Sequence, residues 1–249
     1  MRNQPLTGYV LHQKPHGESR SLIYFFTQEW GVVHGIGKKN LPLFMPIALF
    51  ATGKNSLKTF SQSQVITFNT SLTGQGLFAG LYLNEILLKL LPVEEPLGEL
   101  WLGYQGTIQQ ISQLFQTSTT DDLTLLKWQL RQFETLLFDE LGYGLDFSVD
   151  SFGLSYQAEQ VYRYQLQQGF VDLLALDKAD FVVTGEQIQQ WQACLQDTAI
   201  FEQSLANTPQ STTHVLNQMG GIYRNILDNL LNYQQLQSRE LWRQFLQYQ

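Results

Sequence analysis

The hydrophobic period of the chain changes after Phe68, and that change constrains the fold more than any other feature. Before it, short runs rich in aromatic and β-branched residues alternate with turn residues, the mark of β-structure. The pattern predicts five strands: Leu6–Gln13, Ser21–Thr27, Val32–Gly37, Met45–Thr52 and Leu57–Phe68. The turn at Gln28–Gly31 makes the second and third a hairpin, and GKNS at 53–56 turns the fourth into the fifth. Five short strands joined by tight turns point to a small barrel. The OB-fold is the five-stranded member of that class and binds nucleic acid on one face.

Beyond Phe68 the period is helical. Ser71–Leu91 is apolar nearly all round and stops at Pro92, as befits the central helix of a domain. Trp101–Phe115 is a weaker helix. In Asp121–Leu141, the residues Leu123, Leu126, Leu130, Phe133, Leu137 and Leu141 form one face. Asp121 or Asp122 can cap its start, and Gly142 its end. Residues 143–184 are irregular, with β-like pieces such as Phe181–Thr184. Helical spacing returns at Gly185–Leu195, at Ser211–Tyr233 and at Ser238–Gln247. Gly220-Gly221 inside the second of these implies a kink or a close helix contact, since each glycine costs about 1 kcal/mol relative to alanine. The expected fold is therefore α+β: an OB-fold barrel over 1–70, then a mainly helical domain over 71–249 with a small irregular β-containing insertion near 143–184.

Charge divides the same way. Residues 1–70 carry seven basic side chains against two acidic ones, a net +5, and the remainder carries eight against twenty, a net −12. A basic module meets an anionic polymer that an acidic one repels. No apolar run is long enough to span a bilayer, and the N-terminal stretch lacks the apolar core of a secretory signal. With one cysteine, Cys194, the chain has no internal disulfide, and the expectation is cytoplasmic, nucleoid-associated and without a membrane role.

Several chemistries fail on spacing. HGIGKKN at 34–40 resembles a phosphate loop, but the glycine that should stand five positions before Gly37-Lys38 is Val32, and Lys39 replaces the magnesium-binding hydroxyl. The four histidines and the single cysteine supply no metal spacing, and His12 and His16 read as surface or strand residues. Cys194 reads as a buried inert thiol. Glu94-Glu95 and Asp121-Asp122 read as solvated or capping pairs. No active site, cofactor site or metal site is expected, and neither the clustered acids of a nuclease nor the phosphate loop of a helicase is visible.

What remains is charge beside aromatic rings. Lys14, Arg20, Lys38, Lys39 and Lys54 fall at turns and strand ends, and Lys58 is expected to alternate outward. Tyr9, Tyr24, Phe25, Phe26 and Trp30 lie near them. Positive charge with stacking surfaces suits single-stranded nucleic acid; the alternative is a solvated barrel surface whose aromatics are core. In the helical part, Lys127 and Arg131 stand four apart on one face, a local positive spot for an acidic partner. The plainer alternative pairs Arg131 with Glu134.

The blocks GYVLHQKPHGESRSLIYFFTQEWGVVHGIGKK, MPIALFATGKNSLKTF, GLYLNEILLKLLP, LRQFETLLFDELGYGLDF and LQSRELWRQFL, in that order, resemble RecO, the recombination-mediator family of the bacterial RecF pathway. The resemblance runs from about residue 8 to residue 245. It implies an N-terminal OB-fold, a helical C-terminal domain and no enzymatic activity. It implies binding to single- and double-stranded DNA, strand annealing and, with RecR, loading of RecA onto DNA coated by single-stranded-DNA-binding protein (SSB). It also implies capture of the acidic SSB C-terminal tail near Arg131, with Lys127 and Phe133 as neighbours, although only Arg131 matches the family's motif. The chain departs from the family in two places. It lacks the four cysteines that hold zinc in some relatives, and after the third strand only Lys38 and Lys39 stand where relatives carry a longer, more basic loop. A competing expectation is a protein-binding adaptor with the barrel as a docking module and no direct role on DNA.

Overall fold

A computed structural model describes residues 1–66, 71–115, 122–173 and 181–247. Five strands open the chain: β1 (Gln4–His16), β2 (Arg20–Thr27), β3 (Gly31–Lys38), β4 (Ile47–Thr52) and β5 (Leu57–Val65). They close into a barrel in the order β1-β2-β3-β5-β4. β3 and β5 run parallel, and every other pairing in the barrel is antiparallel. Leu6, Val10, Ile23, Phe25, Val33, Ile47, Leu49 and Phe60 fill the interior.

The glycines of HGIGKKN fit this interior. A Cβ on Gly35 would stand 2.5 Å from the Phe60 ring, and one on Gly37 would stand 3.0 Å from both Ile23 and Phe60. They are bare because β5 lays a phenyl ring across β3, not because a phosphate approaches. The fifth expected strand ends at Val65; its last residues, 67 and 68, lie outside the described residues.

Among the described residues, seven helices and the three strands of a small sheet follow: α1 (Gly74–Leu90), α2 (Gly98–Leu114), α3 (Asp122–Glu140), β6 (Val161–Gln165), β7 (Gly169–Asp172), β8 (Val182–Thr184), α4 (Gly185–Gln196), α5 (Thr198–Asn207), α6 (Pro209–Leu230) and α7 (Gln237–Gln247). By contacts the chain forms two compact units, 1–129 with 234–249, and 130–233. The strand-to-helix change near 70 is therefore not the line that separates them, because α1, α2 and α7 cluster with the barrel.

In the first unit α1 is fixed by a buried amide. Asn84 donates to the carbonyls of Val10 (3.3 Å) and Leu11 (3.0 Å) and accepts from the Tyr104 hydroxyl at 2.7 Å. Buried polar groups of this kind are costly when unpaired, so they set register as well as contact. Tyr104 meets Tyr9 and Phe26 edge-on at 5.1 and 5.9 Å. At the far end of the unit, α7 lies on α1 through Phe78, which contacts Trp242 and Phe245. The Glu85 carboxylate of α1 caps α7, accepting from the Gln237 and Ser238 amides and from the Ser238 hydroxyl at 2.7–3.0 Å. A carboxylate there also meets the positive end of the helix dipole.

In the second unit, β6, β7 and β8 form a three-stranded sheet in the order β7-β6-β8. Rings hold it together: Tyr156 packs on Tyr162 at 5.0 Å and on Phe170 at 6.0 Å, and Phe147 joins from the other side. The Tyr156 hydroxyl donates to the Asp146 and Val149 carbonyls. Thr184 and Gln187 form a reciprocal capping box at the start of α4. Gly142 ends α3 at φ +77, a conformation that favours glycine. The N-terminal cap of α3 lies outside what is described: Asp121 and the side chain of Asp122. α6 runs unbroken through Gly220-Gly221; a Cβ on Gly221 would meet the Phe181 ring at 2.5 Å, so the pair marks a close contact, not a kink.

Candidate nucleic-acid interface

Three barrel strands present a regular grid to the outside. Past an irregularity between Val10 and His12, β1 turns His12, Lys14 and His16 outward. Their partners on β2 are Tyr24, Leu22 and Arg20, which pair in turn with His34, Ile36 and Lys38 on β3. Paired residues share a face of the sheet, and the alternate residues Ile23, Phe25 and Val33 fill the core. The outer face thus carries three rows, spaced by two residues or about 7 Å: His12–Tyr24–His34, Lys14–Leu22–Ile36 and His16–Arg20–Lys38.

The last row is a basic rim. Lys14, His16, Arg20 and Lys38 are exposed, and Lys39 follows at the end of β3 with its ammonium donating to the Glu18 carbonyl. The first row is a chain of rings. Tyr24 meets His34 edge-on at 4.6 Å and His12 tilted at 5.8 Å, and the Lys14 ammonium lies 6.0 Å from the Tyr24 ring centre. Burial lowers the pKa of both imidazoles. Lys14 lowers His12 further against the opposing Glu85, and Glu94 opposes the shift at His34. Both rings are therefore neutral at neutral pH. They line a groove of about 540 Å³ whose opposite wall comes from α1 and the start of α7, including Leu81, Leu88 and Leu241.

Four of the six cations expected on DNA, Lys14, Arg20, Lys38 and Lys39, gather at this end of the barrel. Lys54 does not join them. It precedes Leu57, whose β3 partner His34 lies four residues before Lys38, about 13 Å along the strand. Lys58 corrects the expected alternation: it points inward with Phe60, while Leu57 is 47% exposed. The Lys58 side chain is 3% exposed, with its ammonium 2.6 Å from the Glu94 carboxylate. It is part of the barrel's packing, not its outer face. Tyr9, Phe25 and Phe26 are likewise buried and Trp30 packs half-buried against the barrel core, leaving Tyr24 as the outward ring of the three paired strands. The His12–Tyr24–His34 row was legible only through register: the turn at Gln28–Gly31 aligns His34 with Tyr24, but the irregularity in β1 that brings in His12 has no sequence mark.

The second expected site looks different. Arg131 adopts the plainer alternative: it donates to Glu134 at 2.8 Å and to the Gly220 carbonyl at 3.3 Å, 5.7 Å from the Tyr223 ring centre. Its side chain keeps 14% exposure, so it is not on a solvated face. Phe133 is 2% exposed and belongs to the core, which removes it as a surface contact. Lys127, four residues before Arg131, is half-buried. Among the described residues no group of three or more His, Cys, Asp or Glu side chains could hold a metal ion, and no helix is long and apolar enough to cross a membrane.

No family model matches the chain. Individual proteins do. It is 30% identical over 248 residues to the DNA repair protein RecO of Proteus mirabilis, covering 95% of this chain and 91% of that one. The chain belongs to the RecO family. RecO of Tolumonas auensis is 31% identical over 250 residues, covering 96% of this chain and 94% of its own, and RecO of Pseudomonas paraeruginosa is 33% identical over 196 residues, covering 71% and 80%. Membership carries a role in DNA repair and recombination, and the barrel followed by helices is the architecture expected of a RecO protein.

Proposed function

We propose that the chain is a non-enzymatic recombination mediator that holds DNA on the basic rim of its barrel. It binds single- and double-stranded DNA, anneals complementary strands, and with RecR helps to load RecA onto SSB-coated single strands. The observation that carries the DNA reading is the contiguous row His16–Arg20–Lys38, with Lys14 and Lys39 beside it, on one outer face of three paired strands. Cations so aligned replace counterions along a phosphate backbone and carry no sequence preference.

The acidic SSB tail is assigned to Arg131, whose guanidinium already grips one carboxylate, that of Glu134, and whose side chain is 14% exposed. A tail carboxylate enters by sharing or displacing that partner.

The test is the double charge reversal Arg20→Glu with Lys38→Glu. We expect about a tenfold or greater loss of affinity for both single strands and duplex, with the log–log salt slope reduced by about 1.4 on single strands and about 1.8 on duplex for the two lost phosphate contacts. Wild-type affinity that stays flat as salt rises sinks the basic-rim reading. Binding of an SSB-tail peptide with no DNA binding at all points instead to a protein-docking barrel.

A further inference from the structure

We propose that the His12–Tyr24–His34 row is a slot for one unpaired nucleobase, which gives the barrel a single-strand contact that duplex DNA cannot make. The proposal rests on the DNA reading above and adds what part of the DNA meets the rings.

The first argument is placement. The rings lie on the same outward face as the basic rim, with Lys14 one row away and Arg20 and Lys38 two rows away, about 7 and 13 Å. A strand whose phosphates run along the rim holds its bases within reach of the groove. The second is form. The groove, about 540 Å³, is walled opposite the rings by α1 and α7, where Leu81, Leu88 and Leu241 stand among the polar Glu85, Lys89 and Gln237. Leucines facing a row of rings, with polar groups beside them, accept a flat aromatic guest edgewise, as protein sites do for bases taken out of the helical stack. A paired base cannot enter it. The third is that the rings are not consumed by one another: Tyr24 meets His34 at 71° and His12 at 42°, so a planar guest displaces no existing parallel stack. Burial keeps the imidazoles neutral, so they offer stacking surface in place of charge. The slot also has polar atoms for a base edge: the imidazole nitrogens and the Tyr24 hydroxyl.

The experiment compares a fluorescein-labelled oligothymidylate with a labelled hairpin duplex, by anisotropy, for the wild type and for Tyr24→Leu and Tyr24→Trp. Truncating an aromatic that stacks on one base costs about 5- to 100-fold in affinity. Tyr24→Leu is expected to lose that much on the single strand, to match the wild type on the duplex, and to keep the wild-type salt slope. Tyr24→Trp, which keeps a stacking face, is expected to restore single-strand binding. Wild-type single-strand affinity in Tyr24→Leu overturns the slot and leaves the basic-rim reading standing; equal losses on both DNAs also overturn it, because the ring is then only structural. If the wild type binds neither DNA, both readings fall together. Should Tyr24→Leu not fold, photocrosslinking of the wild type to an oligonucleotide carrying 5-iodouracil decides: adducts at His12, Tyr24 or His34 support the slot, and adducts confined elsewhere overturn it.

Discussion

Lys58 and Glu94 form a nearly buried ion pair, and the two ends of it are not equivalent. The lysine side chain is 3% exposed and the glutamate 32%. Removing Glu94 takes away the carboxylate and leaves the buried ammonium on the Asn55 carbonyl, whereas Lys58→Met replaces the lysine with an apolar chain of similar length. Breaking a fully buried pair costs about 3–5 kcal/mol; with a third of Glu94 in water, Glu94→Ala is expected to cost about 2 kcal/mol. Lys58→Met is expected to cost less, and urea midpoints order the two. A reversed order means the pair is not what holds Lys58 inward. The imidazoles give a pH dependence at the same scale. The unfolded chain takes up protons on His12 and His34 near pH 6.5. The folded chain does so only at lower pH, because burial is the leading cause of both lowered pKa values; Lys14 reinforces it at His12, while Glu85 and Glu94 oppose it at His12 and His34 respectively. The unfolded state then binds more protons in that window, so the contribution is full above about pH 6.5 and is lost as pH falls below it. The urea midpoint is expected to drop between about pH 7.5 and about pH 5.5, and the drop to shrink in the double variant His12→Gln, His34→Gln.

Elements were legible where local pattern and packing agree. All five barrel strands follow runs of aromatic and β-branched residues between turns, α1 follows its all-round apolar run, and α2, α3, α4, α6 and α7 follow helical patterning. Lys58 shows why orientation is harder. Leu57 and Phe60 have opposite parity, so one of them had to face out; the sequence favours the aliphatic residue inside, and the partner that settles the matter, Glu94, arrives from a loop between α1 and α2. α5 was missed because Phe201 is its one buried side chain, too few for a period, although Asp197 caps its start and Thr208-Pro209 opens the next helix. The basic rim was legible as charge, and its shape only as strand register. α7 supplies a prediction at this scale. Its N-terminal amides find their acceptor in Glu85 of α1, not in a cap of their own. Loss of an N-cap costs about 1 kcal/mol, so Glu85→Ala is expected to lower unfolding free energy by about that much and to raise amide hydrogen exchange at the start of α7 ahead of the rest of the chain. Uniform exchange across α1 and α7 contradicts the cap assignment.

For the molecule as a whole, the net charge of −7 would by itself argue against DNA, and the division into +5 and −12 changes the argument. Counterion release depends on local contacts. Each phosphate neutralised on a single strand contributes about −0.7 to the log–log salt slope, so Lys14, Arg20, Lys38 and Lys39 together set it near −3. That is about a 60-fold loss of affinity between 50 and 200 mM salt. Repulsion from the acidic remainder acts at longer range and is screened within about 10 Å at 0.1 M salt, but reaches about 30 Å at 0.01 M. The two effects oppose each other as salt is lowered: release of counterions strengthens binding while unscreened repulsion weakens it. The slope measured by anisotropy on an oligothymidylate is therefore expected to be near −3 above about 0.1 M and to flatten toward about 0.01 M. Lys54→Glu, away from the rim, is expected to leave the high-salt slope unchanged. A slope that steepens without limit at low salt removes the role given to the acidic part. A slope that drops in Lys54→Glu extends the DNA face around the barrel to the β4–β5 turn.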